Sequence, residues 1–341
     1  MFIQIALALF VGLLSFVYLI LLRTPSPRVC GSLNGPPVTS PRVKLKDGRH
    51  LAYKEHGVPR KDARYKIVVI HGFDSSKDFC IPVSQEIIEE LGIYFLSFDR
   101  AGYGESDPNP ARGVKSEAFD IEELADKLEI GSKFYVIGVS IGAYPVWSCL
   151  KYIPHRLAGA SLVVPFVNYW LPSFPDDLLK EAFQILLVQD QWTFRIAHYF
   201  PWLFYWWMNQ KWFPSLSMME GNMSIFCSKD LEMLQNIPPL PSDLQAKVRQ
   251  QGVHESLYRD ILAGYGKWEF DILDLSNPFP EGNGSIHIWQ GYEDKIIPYK
   301  LNRYISQKLT WIKYHEVPDF GHFLIYDGDL SEKILRELLH G

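Results

Sequence analysis

Residues 67–70, 93–98 and 134–137 form three short apolar runs without a single charged side chain, rich in β-branched and aromatic residues. That is the pattern of strands covered on both faces. Stretches of helical character at 84–91 and 118–128 lie between them, and strand alternating with helix predicts a mostly parallel α/β sheet. Residues 157–164, 285–289 and 311–317 continue the series. Ahead of it, residues 43–57 carry Asp47-Gly48 between short apolar segments and predict a β-hairpin. The series is broken once, between 164 and 285. The predicted body is therefore a core of residues 43–165 and 273–341, with residues 166–272 inserted as a helical cap. The 47% of hydrophobic residues supply the apolar material such a core needs.

The insertion differs in composition from the core. Residues 192–213 hold eleven aromatics in twenty-two positions: Trp192, Phe194, Tyr199, Phe200, Trp202, Phe204, Tyr205, Trp206, Trp207, Trp212 and Phe213. Such a cluster packs on itself and on the core. Part of it is also suited to lining a cavity for an apolar ligand, or to touching a membrane surface.

The N-terminus departs from the pattern of a soluble domain. No charge occurs from Phe2 to Leu22, and 21 residues in a helix would span about 32 Å. Residues 1–22 are therefore predicted as a single transmembrane anchor, with a cleaved signal as the alternative. Arg23, Arg28, Arg42, Lys44, Lys46 and Arg49 all follow this run and no basic side chain precedes it. The positive-inside rule then puts the body in the cytosol, with the endoplasmic reticulum one candidate membrane. Pro25, Pro27, Pro36, Pro37 and Pro41 make residues 23–42 a predicted tether.

Charge and cysteine usage narrow the function. A formal net charge of −5 lacks the basic excess of a nucleic-acid binder. Cys30, Cys80, Cys149 and Cys227 are widely spaced, with neither the spacing of a metal site nor that of a disulfide framework.

After the run 134–137 comes Gly138-Val139-Ser140-Ile141-Gly142, and then a helical stretch at 143–151. A serine on a sharp turn between strand and helix projects its oxygen out of the sheet, and flanking glycines let the helix approach closely. A hydroxyl attacks only when a base takes its proton, and the base needs a partner to hold its tautomer. Asp294, in Gly291-Tyr292-Glu293-Asp294, and His322, in Gly321-His322-Phe323, each follow a late strand, at the sheet edge where ligands bind. The predicted catalytic residues are Ser140, Asp294 and His322. Glu293 is a rival for the acid and His315 for the base. The oxyanion donors are predicted as the backbone N–H groups of Ile141 and of Phe73, the latter in His71-Gly72-Phe73 after the strand ending at Ile70.

These motifs, together with Asp99-Arg100-Ala101-Gly102-Tyr103-Gly104-Glu105-Ser106, resemble the α/β-hydrolase superfamily over about residues 43–341, in particular its capped, lipase- and esterase-like members. With the anchor, the chain looks like membrane-associated members found in plants. The resemblance implies an α/β-hydrolase fold and cleavage of a carboxylic ester through an acyl-enzyme, with no metal or organic cofactor. Ser140 stands where epoxide hydrolases and haloalkane dehalogenases of this fold carry aspartate, so neither chemistry is implied. Anchor and aromatic cap together point to an apolar ester or lipid-like substrate. A ligand receptor on the same scaffold and an acyltransferase using the same acyl-enzyme remain open alternatives.

Overall fold

The computed structural model describes residues 2–19, 23–236 and 242–340. Eight strands form one sheet in the order β1-β2-β4-β3-β5-β6-β7-β8. They are β1 (Arg42–Lys44), β2 (His50–Gly57), β3 (Tyr65–Ile70), β4 (Ile93–Phe98), β5 (Phe134–Val139), β6 (Leu157–Val163), β7 (Ile286–Gly291) and β8 (Ile312–Val317). The β1–β2 and β2–β4 pairs are antiparallel, and all later pairs are parallel. The β1–β2 hairpin turns at Gly48, whose φ of +95° suits a residue without Cβ.

Every residue of β4 and β7 is buried, because helices cover both faces of the sheet. The helices that follow strands begin and end where local chemistry directs. In α2 (Gln85–Leu91) the Ser84 side chain accepts the Ile87 N–H at the start, and Gly92 closes the end in a left-handed conformation. In α3 (Val114–Lys127) the buried apolar residues Val114, Ala118, Ile121, Leu124 and Ala125 recur at helical spacing and join the main hydrophobic core. The core helices are completed by α4 (Ala143–Tyr152), which carries Pro145 in its first turn.

The chain between β6 and β7 folds as a cap of six helices among the described residues. They are α5 (Asp176–Ile185), α6 (Val188–Tyr199), α7 (Phe204–Asn209), α8 (Ser228–Asn236), α9 (Ser242–Val248) and α10 (Arg259–Tyr265). After β7 come α11 (Tyr299–Lys308) and, after β8, α12 (Gly328–His340). Asp260, on α10, locks cap to core. Its carboxylate is held by Arg100 at 2.5 and 2.6 Å, by Arg112 at 3.0 Å and by the Tyr103 hydroxyl at 2.7 Å, all of them buried. Burial would raise its pKa, but the two guanidiniums outweigh it and hold the carboxyl near 2.

The N-terminal run is helical over its described residues. The helix α1 runs from Phe2 to Val17, 16 residues with none buried. Among the described residues no helix is long and apolar enough to cross a membrane. The last three residues of the predicted anchor, 20–22, lie outside the described residues. The proline-rich segment that follows is docked on the body. The carboxylate of Glu105 accepts the N–H groups of Thr39 and Ser40 at 2.8 and 2.9 Å, and Arg28 N–H donates to Gln251 O at 3.0 Å.

Candidate active site

Ser140 follows the last residue of β5 with a φ of +56°, a left-handed conformation uncommon outside glycine. Close packing of strand, turn and helix imposes it. A Cβ on Gly142 would lie 2.5 Å from the His71 carbonyl oxygen and 2.6 Å from that of Ile70. Only glycine permits α4 to start against the end of β3.

His322 and Asp294 reach this serine from the ends of β8 and β7. His322 Nε2 lies 2.9 Å from Ser140 Oγ, and His322 Nδ1 lies 2.8 Å from Asp294 Oδ2. Asp294 Oδ1 accepts the N–H groups of Ile296 and Ile297, both at 2.9 Å, so the carboxylate is fixed by its own turn. The rivals are placed elsewhere. Glu293 is exposed, and His315 stacks on Trp289 at 3.9 Å and meets His287 at 2.9 Å.

A second carboxylate, which sequence reasoning missed, serves the same histidine. Asp230, fully buried on cap helix α8, accepts the backbone N–H of His322 at 3.1 Å and that of Phe323 at 2.9 Å. Gly321 leaves it room, since a Cβ there would lie 2.1 Å from Asp230 Oδ2. No motif marks Asp230, which lies 92 positions before His322. Burial alone would depress the His322 pKa, but the Asp294 carboxylate, by charge and hydrogen bond, with Asp230 behind it, holds it above the ordinary imidazole value.

The loop after β3 is braced in a similar way. His71 Nε2 accepts the Arg100 N–H at 3.1 Å, and the Gly72 carbonyl accepts from Arg100 Nη2 at 3.2 Å. Burial and the Arg100 charge push the His71 pKa well down, so the ring is neutral. In a trans peptide the carbonyl and the next N–H point to opposite sides, so holding Gly72 O also sets the direction of the Phe73 N–H.

Ser140, Ile141 and Phe73 border one cavity, whose walls include Phe166, Leu186 and Ile261. With its open mouth included, the space measures about 790 Å³. Of the eleven aromatics in residues 192–213, Phe194 lines this cavity and Phe204 is buried in the core. Trp192, Tyr199, Phe200, Trp202, Trp212 and Phe213 are exposed instead. The arrangement supplies a hydroxyl, an imidazole to accept its proton, a carboxylate to hold the imidazole, and an apolar space beside them.

A family model described as alpha/beta hydrolase fold matches residues 65–329. No curated protein matches the chain. Among solved structures, the chain is similar to a thermophilic esterase from Thermogutta terrifontis at 18% identity and a TM-score of 0.52, over 88% of this chain and 98% of that one. A hydrolase from Pseudomonas aeruginosa is 15% identical with a TM-score of 0.56, again over 88% and 98%. An esterase from Exiguobacterium antarcticum is 17% identical with a TM-score of 0.53, over 88% and 99%. At such identities these likenesses concern the fold.

Proposed function

We propose that this chain, which belongs to the alpha/beta hydrolase fold family, is a serine hydrolase that cleaves carboxylic esters bearing an apolar acyl group. The observation that carries this reading is the unbroken chain from Asp294 through His322 to Ser140, ending at an apolar cavity. In the proposed reaction, Ser140 Oγ attacks the ester carbonyl while His322 Nε2 takes its proton. The imidazolium, stabilised by Asp294, then protonates the departing alkoxide, leaving an acyl-serine. Water, deprotonated by His322, attacks the acyl-serine, and the imidazolium returns that proton to Ser140 Oγ as the acid is released. The N–H groups of Ile141 and Phe73 are the proposed donors to the oxyanion, a role worth about 10²–10³ in rate per donor.

The exposed apolar helix α1 and the exposed Trp and Phe side chains of the cap support a place of work at a lipid surface. The basic residues between Arg23 and Arg49 support a cytosolic body. A lipid-like ester is accordingly the proposed substrate class.

A fluorophosphonate probe, which reacts with activated serines, tests the reading. Wild-type protein is expected to be labelled and Ser140→Ala to be blank, with ester turnover down by several orders of magnitude. Labelling that survives in the Ser140→Ala protein would sink the assignment. A screen of ester chain lengths then tests the substrate class, and a strong preference for acetyl esters would count against a lipid.

A further inference from the structure

The strands at the far edge of the sheet carry a second cluster of chemically capable side chains, remote from Ser140 in the chain and unused by the proposed reaction. His287 lies on β7 and His315 on β8. Because Trp289 is opposite His315 in the register, and His287 is two residues from Trp289, the two imidazoles share one sheet face. Helix α12 covers that face, burying Ile334, Leu335 and Leu338, and it carries Glu337 to the same place. One ring nitrogen of each histidine and a carboxylate oxygen of Glu337 all lie within 4.8 Å of one another.

We propose that His287, His315 and Glu337 form a binding site for a divalent transition-metal ion, with Zn²⁺ the expected occupant. Two imidazoles and one carboxylate are a donor set suited to zinc and its neighbours, whereas calcium and magnesium take oxygen ligands. Zinc bonds of about 2.0–2.2 Å put two ligands of one tetrahedral ion roughly 3.3 Å apart. His287 Nδ1 and His315 Nε2 are already 2.9 Å apart, so the ion needs small ring movements and a turn of the Glu337 side chain. A fourth position remains for water.

The surroundings favour this use. Ser285 Oγ lies 2.7 Å from His287 Nε2, the nitrogen facing away from the site. Metal-bound histidines commonly hold their second nitrogen in this way. The hydroxyl can donate or accept, so it serves either tautomer. The single proton shared between the two imidazoles therefore has somewhere to go without leaving the protein. If it sits on His287 Nδ1, that ring changes tautomer and donates from Nε2 to Ser285. If it sits on His315 Nε2, it is His315 that changes tautomer, to Nδ1–H. The Trp289 ring stacked on His315 at 3.9 Å restrains that ligand. Lys313 and Lys333 also act on the pair. Their charge opposes a proton on either imidazole and also opposes the cation, an effect that Glu337 offsets. A bound ion would tie the C-terminal helix to β7 and β8.

The test uses the full chain, free of any histidine tag and stripped by a chelator, titrated calorimetrically with ZnCl₂ and, for comparison, MgCl₂. Wild type is expected to bind one equivalent of zinc saturably and no magnesium, and to melt at higher temperature with zinc present. His315→Gln and Glu337→Gln, at partly exposed positions, should each weaken zinc binding by about tenfold or more, and Ser285→Ala by about tenfold. Co²⁺ in place of zinc should give visible absorption bands of a four-coordinate ion, lost in His315→Gln. Ester turnover should be the same in all these variants. Absence of saturable zinc binding, or unchanged affinity in both His315→Gln and Glu337→Gln, would overturn the proposal.

Discussion

Asp230 shows how much of a site can hang on a residue that no motif marks. Its carboxylate makes two charge-assisted hydrogen bonds to the backbone at His322 and Phe323, and a displacement of about 1 Å in such a site costs on the order of 10²-fold in rate. Asp230→Asn is accordingly expected to lower kcat by about 10- to 100-fold with little change in KM, as steady-state kinetics on a soluble ester would read. In the proposed reaction the same histidine sets the pH dependence. Its pKa is raised above the ordinary value, and only the neutral imidazole can accept the serine proton. Activity should fall as pH drops through that raised value, giving an acid limb above about 6.5. Asp294→Asn removes the main raising influence, so the limb should move to lower pH while the plateau falls. A limb that does not move in Asp294→Asn would show that another group controls it. That Ser140, His322 and Asp294 lie close together could be anticipated because each follows a strand end by a few residues. The role of Asp230 could not, because it depends on contact between distant segments.

At the scale of the element, the turn between β5 and α4 carries the most constraint. Ser140 is held at positive φ because α4 packs against the end of β3, and Gly142 makes the approach feasible. Gly142→Ala would bring a methyl group within 2.6 Å of two backbone carbonyl oxygens. The expected cost is about 1–3 kcal/mol of stability, read as a lower melting temperature, together with slower fluorophosphonate labelling as the serine shifts. Unchanged melting and labelling would mean that the turn relaxes freely. The central strands β3, β4 and β5 were foreshadowed as apolar runs, which burial on both faces favours, and the β1–β2 hairpin by its Asp47-Gly48 turn. The N-terminal run was legible as apolar, and its described residues 2–17 form a helix with none of them buried, while residues 20–22 of the run lie outside the described residues.

At the scale of the whole molecule, the chain combines an exposed apolar helix, a docked proline-rich segment, a parallel sheet and a cap joined to the core through Asp260. If α1 provides the membrane attachment proposed above, deletion of residues 1–22 should abolish flotation with phospholipid vesicles. Turnover of a water-soluble ester should be retained, because the helix buries nothing against the body. Vesicle flotation that persists in the truncated protein would shift attention to the exposed aromatics of the cap. Those aromatics mark where sequence reading ran out: eleven crowded positions were visible, but which of them face the cavity, the core or solvent depends on how the cap helices roll against one another.

The amino-acid sequence on its own carried the alternation of strands and helices, the turn that bears Ser140, and the two late loops that bear Asp294 and His322. Each of these is written in local patterns: a two-faced apolar run, a glycine at a close approach, a polar residue just past a strand. The tertiary structure alone decided that Asp230 grips the His322 loop, that Arg100 and Asp260 brace the loop at Gly72, and that His287, His315 and Glu337 converge under the last helix. Those are meetings of segments far apart in the chain, and the geometry that brings them together comes from packing, which no single segment encodes.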